Sequence, residues 1–211
     1  MGRLRPSNDH QTLRRMIARE AAFLIYTSQE KEYKQAKIRA AETLGVRILP
    51  SNREVAEELD AIATELEGRE RLKRLVRMRK EALEIMWCLK AFKPRLIGSV
   101  WRGTAHKNSD IDIIAYSANP ETVLQKLRKK HFTISEVKEV QVHKNGNKRS
   151  SLHIFVSLPS GDEAEIIVKG TDEEHIVEKC EIYGDIIKGL NISQLKNIIE
   201  RDPYMKFVPR S

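Results

Sequence analysis

Two carboxylates two residues apart, Asp110 and Asp112, stand in the run Ser109-Asp110-Ile111-Asp112-Ile113. Successive residues of a strand point to opposite faces, so the two acids share one face while Ile111 and Ile113 share the other. Carboxylates side by side in apolar surroundings repel each other. A divalent cation removes that repulsion, and Mg²⁺ takes oxygen ligands from one or two carboxylates together with substrate phosphates. With ten residues between it and Asp110, Gly98-Ser99 closes the apolar run Leu96-Ile97. Glycine lets a backbone approach a ligand closely, and N–H groups entering a helix form an anion site. Ser99 offers an N–H and a hydroxyl to terminal phosphates. Arg102, one turn into the helix predicted from about Val100, is placed to reach a triphosphate.

The joint pattern Gly98-Ser99-x-x-Arg102-Gly103-Thr104 followed by Ser109-Asp110-Ile111-Asp112-Ile113 resembles the DNA polymerase beta-like nucleotidyltransferase superfamily, in the form of its small, mostly prokaryotic (archaeal-type) members. The resemblance runs from about Arg95 to Lys169. It implies transfer of a nucleoside monophosphate from an NTP to an acceptor hydroxyl, with two Mg²⁺ (or Mn²⁺) ions and release of pyrophosphate. Two metals can stabilise the attacking and leaving oxygens together, and such a site wants a third carboxylate from a neighbouring strand. The resemblance puts it on a later strand, where only Glu163-Ala164-Glu165-Ile166-Ile167 has the apolar-acid-apolar pattern. Glu163 and Glu165 fall on the same face, and periodicity does not choose between them. Glu165 is preferred because apolar residues flank it on both sides. Glutamate is a departure, since relatives most often carry aspartate here.

These residues need a short strand over Arg95–Ser99, a strand over Ser109–Tyr116, and a hairpin. Leu152, Ile154, Val156 and Leu158 alternate with His153, Phe155 and Ser157, and a return strand follows over Glu163–Val168. Asn145-Gly146 is a turn signal between Ile134–His143 and that strand. Pro120 starts a helix through Val123, Leu124 and Leu127. Thr171–Cys180 and Ser193–Ile199 read as helices. In front of the motif the period is helical: Asp9–Tyr26, a second helix capped by Thr27 and Glu30 and stopped at Gly45, a third capped by Ser51 and Glu54, and a fourth from Arg69 to Leu89 beyond Gly68. The expected class is α+β. A basic helical unit spans residues 1–92, with a loose basic terminus at 1–8. A small mixed-sheet core spans 93–170, and C-terminal helices and a tail span 171–211.

The chain has 211 residues and a formal net charge of +8. Residues 1–95 hold 21 Lys/Arg against 14 Asp/Glu, and residues 96–211 hold 17 against 16. The excess therefore lies in front of the motif, and seven of the twelve residues from Arg69 to Lys80 are basic. An exposed basic helix grips phosphate backbone, so Arg71, Arg74 and Arg77 are candidate nucleic-acid contacts and RNA is the acceptor to which this half points first. Most charge runs are instead solvated faces. An adenylyltransferase acting on a protein or small molecule, and a non-catalytic nucleic-acid binder keeping the fold, are the competing functions. Cys88 and Cys180 lack the close partner that zinc or redox motifs require. His106 in the motif loop reads as polar surface, and His153 and His175 form no metal-ligand cluster. Trp87 and Trp101 read as packing residues. No apolar run is long enough to span a bilayer, which points to a cytoplasmic chain.

Overall fold

The computed structural model of the chain describes residues 6–144 and 147–210. The expected turn at Asn145-Gly146 and residues 1–5 of the basic terminus lie outside them. Helix α1 spans Pro6–Tyr26 and α2 spans Tyr33–Thr43. Ile17, Ala18, Ala21 and Ala22 of α1 are buried, as are Ala36, Ala40 and Ala41 of α2. Small side chains at these positions let two helices approach closely. The expected Thr27 cap does not form. The Thr27 hydroxyl donates to the Phe23 carbonyl at 2.8 Å, and the N–H groups of Gln29 and Glu30 both return to the Leu24 carbonyl. Thr27 thus closes α1 instead of opening α2. Ser51 and Glu54 do form their box, with the Glu54 N–H donating to Ser51 Oγ at 3.2 Å and the Ser51 N–H donating to Glu54 Oε2 at 2.7 Å.

The third and fourth expected helices together span Asn52–Cys88 (α3) and meet at a kink at Gly68, whose φ of 53° and ψ of −127° are non-helical, so the glycine separates them as expected. The boundary between compact units falls inside it, at Arg71/Leu72. The first unit comprises the chain up to Arg71, His106–Asn108 and Cys180–Asp185. Val55, Leu59, Ile62 and Ala63 of α3 complete its core with α1 and α2.

The second unit holds Leu72–Ala105, Ser109–Lys179 and the chain from Ile186 on. Leu75, Met78, Ala82, Ile85, Met86 and Leu89 form one buried stripe at helical spacing. They share a core with a five-stranded mixed sheet: β1 (Arg95–Leu96), β2 (Ile111–Tyr116), β3 (Thr133–Lys144), β4 (Asn147–Ser157) and β5 (Glu163–Lys169). The order is β1-β2-β5-β4-β3, with β2 and β5 parallel and the other pairs antiparallel. Ile111, Ile113, Ala164, Ile166, Val168, Ile154 and Val156 line the buried face. The short α4 (Gly98–Arg102) follows β1, α5 (Pro120–Lys129) follows β2, and α6 (Ile192–Arg201) lies near the end. Asn119 caps α5 by accepting from the Glu121 N–H at 3.1 Å, and Asn191 caps α6 by accepting from the Gln194 N–H at 2.9 Å. Only Thr171–His175 of the expected Thr171–Cys180 helix is helical, as a 3₁₀ turn. Ile176 is extended and, like Val177, exposed, so this stretch has no apolar face to bury. Among the described residues no helix is long and apolar enough to cross a membrane.

Candidate active site

Asp110 immediately precedes β2, and Asp112 lies in it. In the parallel register Asp112 is opposite Glu165 of β5. Because Ile111, Ile113, Ala164 and Ile166 face the core, all three acids are turned to the other face of the sheet. Asp110, Asp112 and Glu165 each present an oxygen within 4.8 Å of the others'. Glu163 is outside this group and exposed, and its Oε1 accepts from the Ser135 hydroxyl at 3.1 Å.

The site depends on a glycine. Gly98 has φ of +68°, and a Cβ there would stand 1.8 Å from Asp112 Oδ2. Any side chain at 98 would displace the carboxylate. The backbone on the same segment is anchored, with the Ile97 N–H donating to the Asp112 carbonyl at 2.9 Å. Ser99 follows in the first turn of α4, where its carbonyl accepts from the Thr104 N–H at 3.0 Å. Gly103, with φ of +74°, ends that helix. A Cβ on it would meet the Met205 carbonyl at 2.7 Å.

Burial is the largest influence raising the Asp112 carboxyl well above the ordinary range, and Asp110 and Glu165 push it in the same direction. Burial also raises Asp110, reinforced by Glu165 and Glu163 and opposed by its own backbone N–H. Acidic oxygens this close, partly desolvated and mutually repelling, are a donor set for a hard divalent cation, which takes oxygen ligands. The residues present fit Mg²⁺ or Mn²⁺.

His153 of β4 adds a contact that its position in the sequence does not advertise. Its Nδ1 lies 2.5 Å from Glu165 Oε1, and its Nε2 lies 2.9 Å from Ser151 Oγ. The signal was present in the hairpin's alternation, which puts Ser151, His153 and Glu165 on one face. It becomes decisive only when the register between β4 and β5 is known.

Three of the predicted basic contacts, Arg71, Arg77 and Arg102, have partners within the chain. Arg71 and Arg102 are only 5% and 4% exposed. Arg71 donates to the Asp60 carboxylate at 2.5 Å, the Asp60 carbonyl at 3.0 Å and Thr64 Oγ1 at 2.6 Å, joining the two sides of the Gly68 bend. Arg77 makes a two-nitrogen pair with the Asp162 carboxylate, at 3.0 and 2.7 Å. Arg74 is half-buried. Arg79, fully buried, donates to the carbonyls of Val100, Trp101, Pro203 and Met205. Arg102 donates to the Phe207 carbonyl at 2.9 Å and stacks over the Trp101 ring at 4.5 Å. Amphipathic spacing accounts for these internal partners. A helix with apolar and basic residues interleaved must bury some of the basic ones, and these have found carbonyl and carboxylate partners within the chain. Trp101 is buried and stacked with Phe207, whereas Trp87 is half-exposed. His106 lies against Tyr26 in the first unit, with ring centroids 6.0 Å apart.

Residues 89–155 match the family model described as a nucleotidyltransferase domain. No curated protein matches the chain. Among solved structures, a cytoplasmic RNA terminal U-transferase is similar at 20% identity and a TM-score of 0.34, over 46% of this chain and 29% of that one. Cid1 in complex with the UTP analog UMPNPP is similar at 18% identity and a TM-score of 0.34, over 56% and 37%. The GLD-2/RNP-8 complex is similar at 14% identity and a TM-score of 0.34, over 58% and 44%. The chain spans less than half the length of each.

Proposed function

We propose that the chain, whose residues 89–155 match a nucleotidyltransferase domain and whose motif resembles the DNA polymerase beta-like superfamily, transfers a nucleoside monophosphate from an NTP to an acceptor hydroxyl on RNA. The observation that carries this reading is the convergence of Asp110, Asp112 and Glu165 oxygens within 4.8 Å beside the Gly98 turn. In the reaction the acceptor oxygen bonds to the α-phosphorus, the bond to the bridging oxygen breaks, and pyrophosphate leaves. Asp110, Asp112 and Glu165 would hold two Mg²⁺ or Mn²⁺ ions, and bound ions would supply positive charge for the attacking and leaving oxygens. Glu165 would help the bound ion activate the acceptor hydroxyl, which gives up its proton as it attacks. Gly98 leaves room for the Asp112 carboxylate, and Ser99 offers its N–H and hydroxyl to the terminal phosphates.

RNA as acceptor is supported by the net charge of +8, which favours a polyanion. The Arg69–Lys80 run is a weaker argument than its composition suggests, because Arg71, Arg77 and Arg79 have internal partners. The test is incubation with each labelled NTP, Mg²⁺, and RNA, protein or small-molecule acceptors in separate arms. The expected result is label in RNA with release of pyrophosphate, abolished by Asp112→Ala. Label only in the protein or small-molecule arm would replace the acceptor. A chain that binds RNA equally with and without Asp112, and neither binds nor transfers any nucleotide, would be a binding protein and not a catalyst.

A further inference from the structure

The third carboxylate of the site is a glutamate, one methylene longer than an aspartate and free about one more bond. Left alone it would sample several positions, and each would move its oxygens relative to Asp110 and Asp112. Two side chains on the neighbouring strand remove that freedom. We infer that His153, oriented by Ser151, is a positioning residue that sets Glu165 for metal binding, an inference that rests on the nucleotidyltransferase reading of the site.

Geometry carries the inference. β4 and β5 pair antiparallel with Phe155 opposite Glu165, so His153 is the diagonal neighbour of Glu165 on the same face. Its ring closes on Glu165 with a 2.5 Å contact from Nδ1 to Oε1. A hydrogen bond between Nδ1 and Oε1 ties the ring to the carboxylate. The other ring nitrogen, Nε2, lies 2.9 Å from Ser151 Oγ, a hydroxyl that can donate or accept. Ser151 thereby orients the ring. The chain Ser151 to His153 to Glu165 runs along one sheet face, and each side chain comes from a regular strand whose backbone is held by its neighbours. Oε1 is engaged, and the second oxygen remains for the cation. A histidine that fixes the orientation of a ligating carboxylate is the mirror of the common case in which a carboxylate fixes a ligating histidine, and the same reasoning applies to both.

The alternation explains why no other residue fills this role. Ile154 and Val156 face the core, and Phe155, the direct neighbour of Glu165, has no donor on its side chain. The Phe155 ring is engaged by Lys138 Nζ at 5.1 Å. Lys138 itself pairs with Glu136 at 2.7 Å.

The experiment measures Mn²⁺ affinity of the full chain without nucleotide, by the electron paramagnetic resonance signal of free Mn²⁺, in wild type and in His153→Ala, His153→Asn, Ser151→Ala and Asp112→Asn. Loss of such an outer partner weakens metal affinity by about tenfold or more, so His153→Ala is expected to bind Mn²⁺ about tenfold more weakly. In His153→Asn the amide N–H stands where Nδ1 stood, and affinity is expected to return to near the wild-type value. In Ser151→Ala the ring loses its orienting partner, and an affinity between those of wild type and His153→Ala is expected. Thermal melting of each metal-free variant reports whether it is folded. If folded His153→Ala binds Mn²⁺ like wild type while Asp112→Asn does not bind, the positioning role is overturned and the nucleotidyltransferase reading stands. If wild type binds no Mn²⁺, both are overturned. If His153→Asn is as impaired as His153→Ala, His153 acts through something other than a hydrogen bond to Glu165, and the inference fails.

Discussion

At the scale of single residues, the site holds charge that the folded chain does not compensate by itself. The Asp112 carboxyl is raised by burial first and by its acidic neighbours second. A raised acid keeps its proton to higher pH in the folded state than in the unfolded chain. Metal-free stability therefore falls as pH rises from the ordinary aspartate range through the raised value, and stays reduced above it. Asparagine does not titrate. Asp112→Asn is expected to melt higher than wild type without metal, by roughly 0.5–2 kcal/mol of stability at neutral pH, with an advantage that shrinks toward acid. The same variant loses all response to Mn²⁺. Melting curves of both proteins from pH 4 to 8, with and without the ion, check the signs. Gly98→Ala makes the complementary case. Its Cβ would sit 1.8 Å from Asp112 Oδ2, and the positive φ costs a side chain about 1–3 kcal/mol. It should abolish Mn²⁺ binding and lower the melting temperature as well, a combination that Asp112→Asn does not give.

At the scale of elements, the helices illustrate what spacing can and cannot tell. Periodicity is enough for a helix over Arg69–Leu89, for the Ser51–Glu54 cap and for the strand that follows Asp110 and carries Asp112, because these depend on residues a turn or a pleat apart. Partners distant in the chain are not legible in this way. The Arg71 guanidinium is buried because Asp60 and Thr64 lie across the Gly68 bend, and Arg79 because the chain near Pro203 and Met205 returns to it. The choice between Glu163 and Glu165 depends on the register of β2 and β5, and the part of His153 on that of β4 and β5, both set by hydrogen bonds that alternation does not number. This reading makes Arg71 structural. Arg71→Ala is expected to destabilise the chain by roughly 2 kcal/mol, the worth of hydrogen bonds from a buried charged donor. RNA affinity, measured by titration below the melting temperature, should stay within about twofold of wild type. A large loss of affinity in a fully folded Arg71→Ala protein would return this residue to the binding surface.

At the scale of the whole molecule, the buried apolar residues form two clusters. One lies within Ile17–Ala63, and the other runs from Leu75 to Ile198 and includes the sheet. Each cluster should melt with its own transition, and the two should answer to different ligands. In the first unit the Arg14 side chain, hydrogen-bonded to Glu54, is the leading cause that lowers the Glu54 carboxyl to about 2. A lowered acid contributes stability that is present above its ordinary value and lost as pH falls through the lowered one. Both side chains are partly exposed, so the pair is worth at most about 1 kcal/mol. Acidification from neutral pH to pH 3 should therefore lower the first transition, by less in Glu54→Gln than in wild type. The metal acts on the other transition. An ion bound only by the folded sheet unit, at a hundredfold excess over its Kd, adds about 2.7 kcal/mol, which for a unit of this size is a rise of roughly 5–10 °C. Scanning calorimetry with and without Mn²⁺ is expected to show the second transition moving and the first standing still. In Asp112→Asn neither should move with the ion. A single transition that rises as a whole with Mn²⁺ would mean that the two cores unfold as one, and that the carboxylates of the sheet stabilise the helices in front of them as much as their own strands.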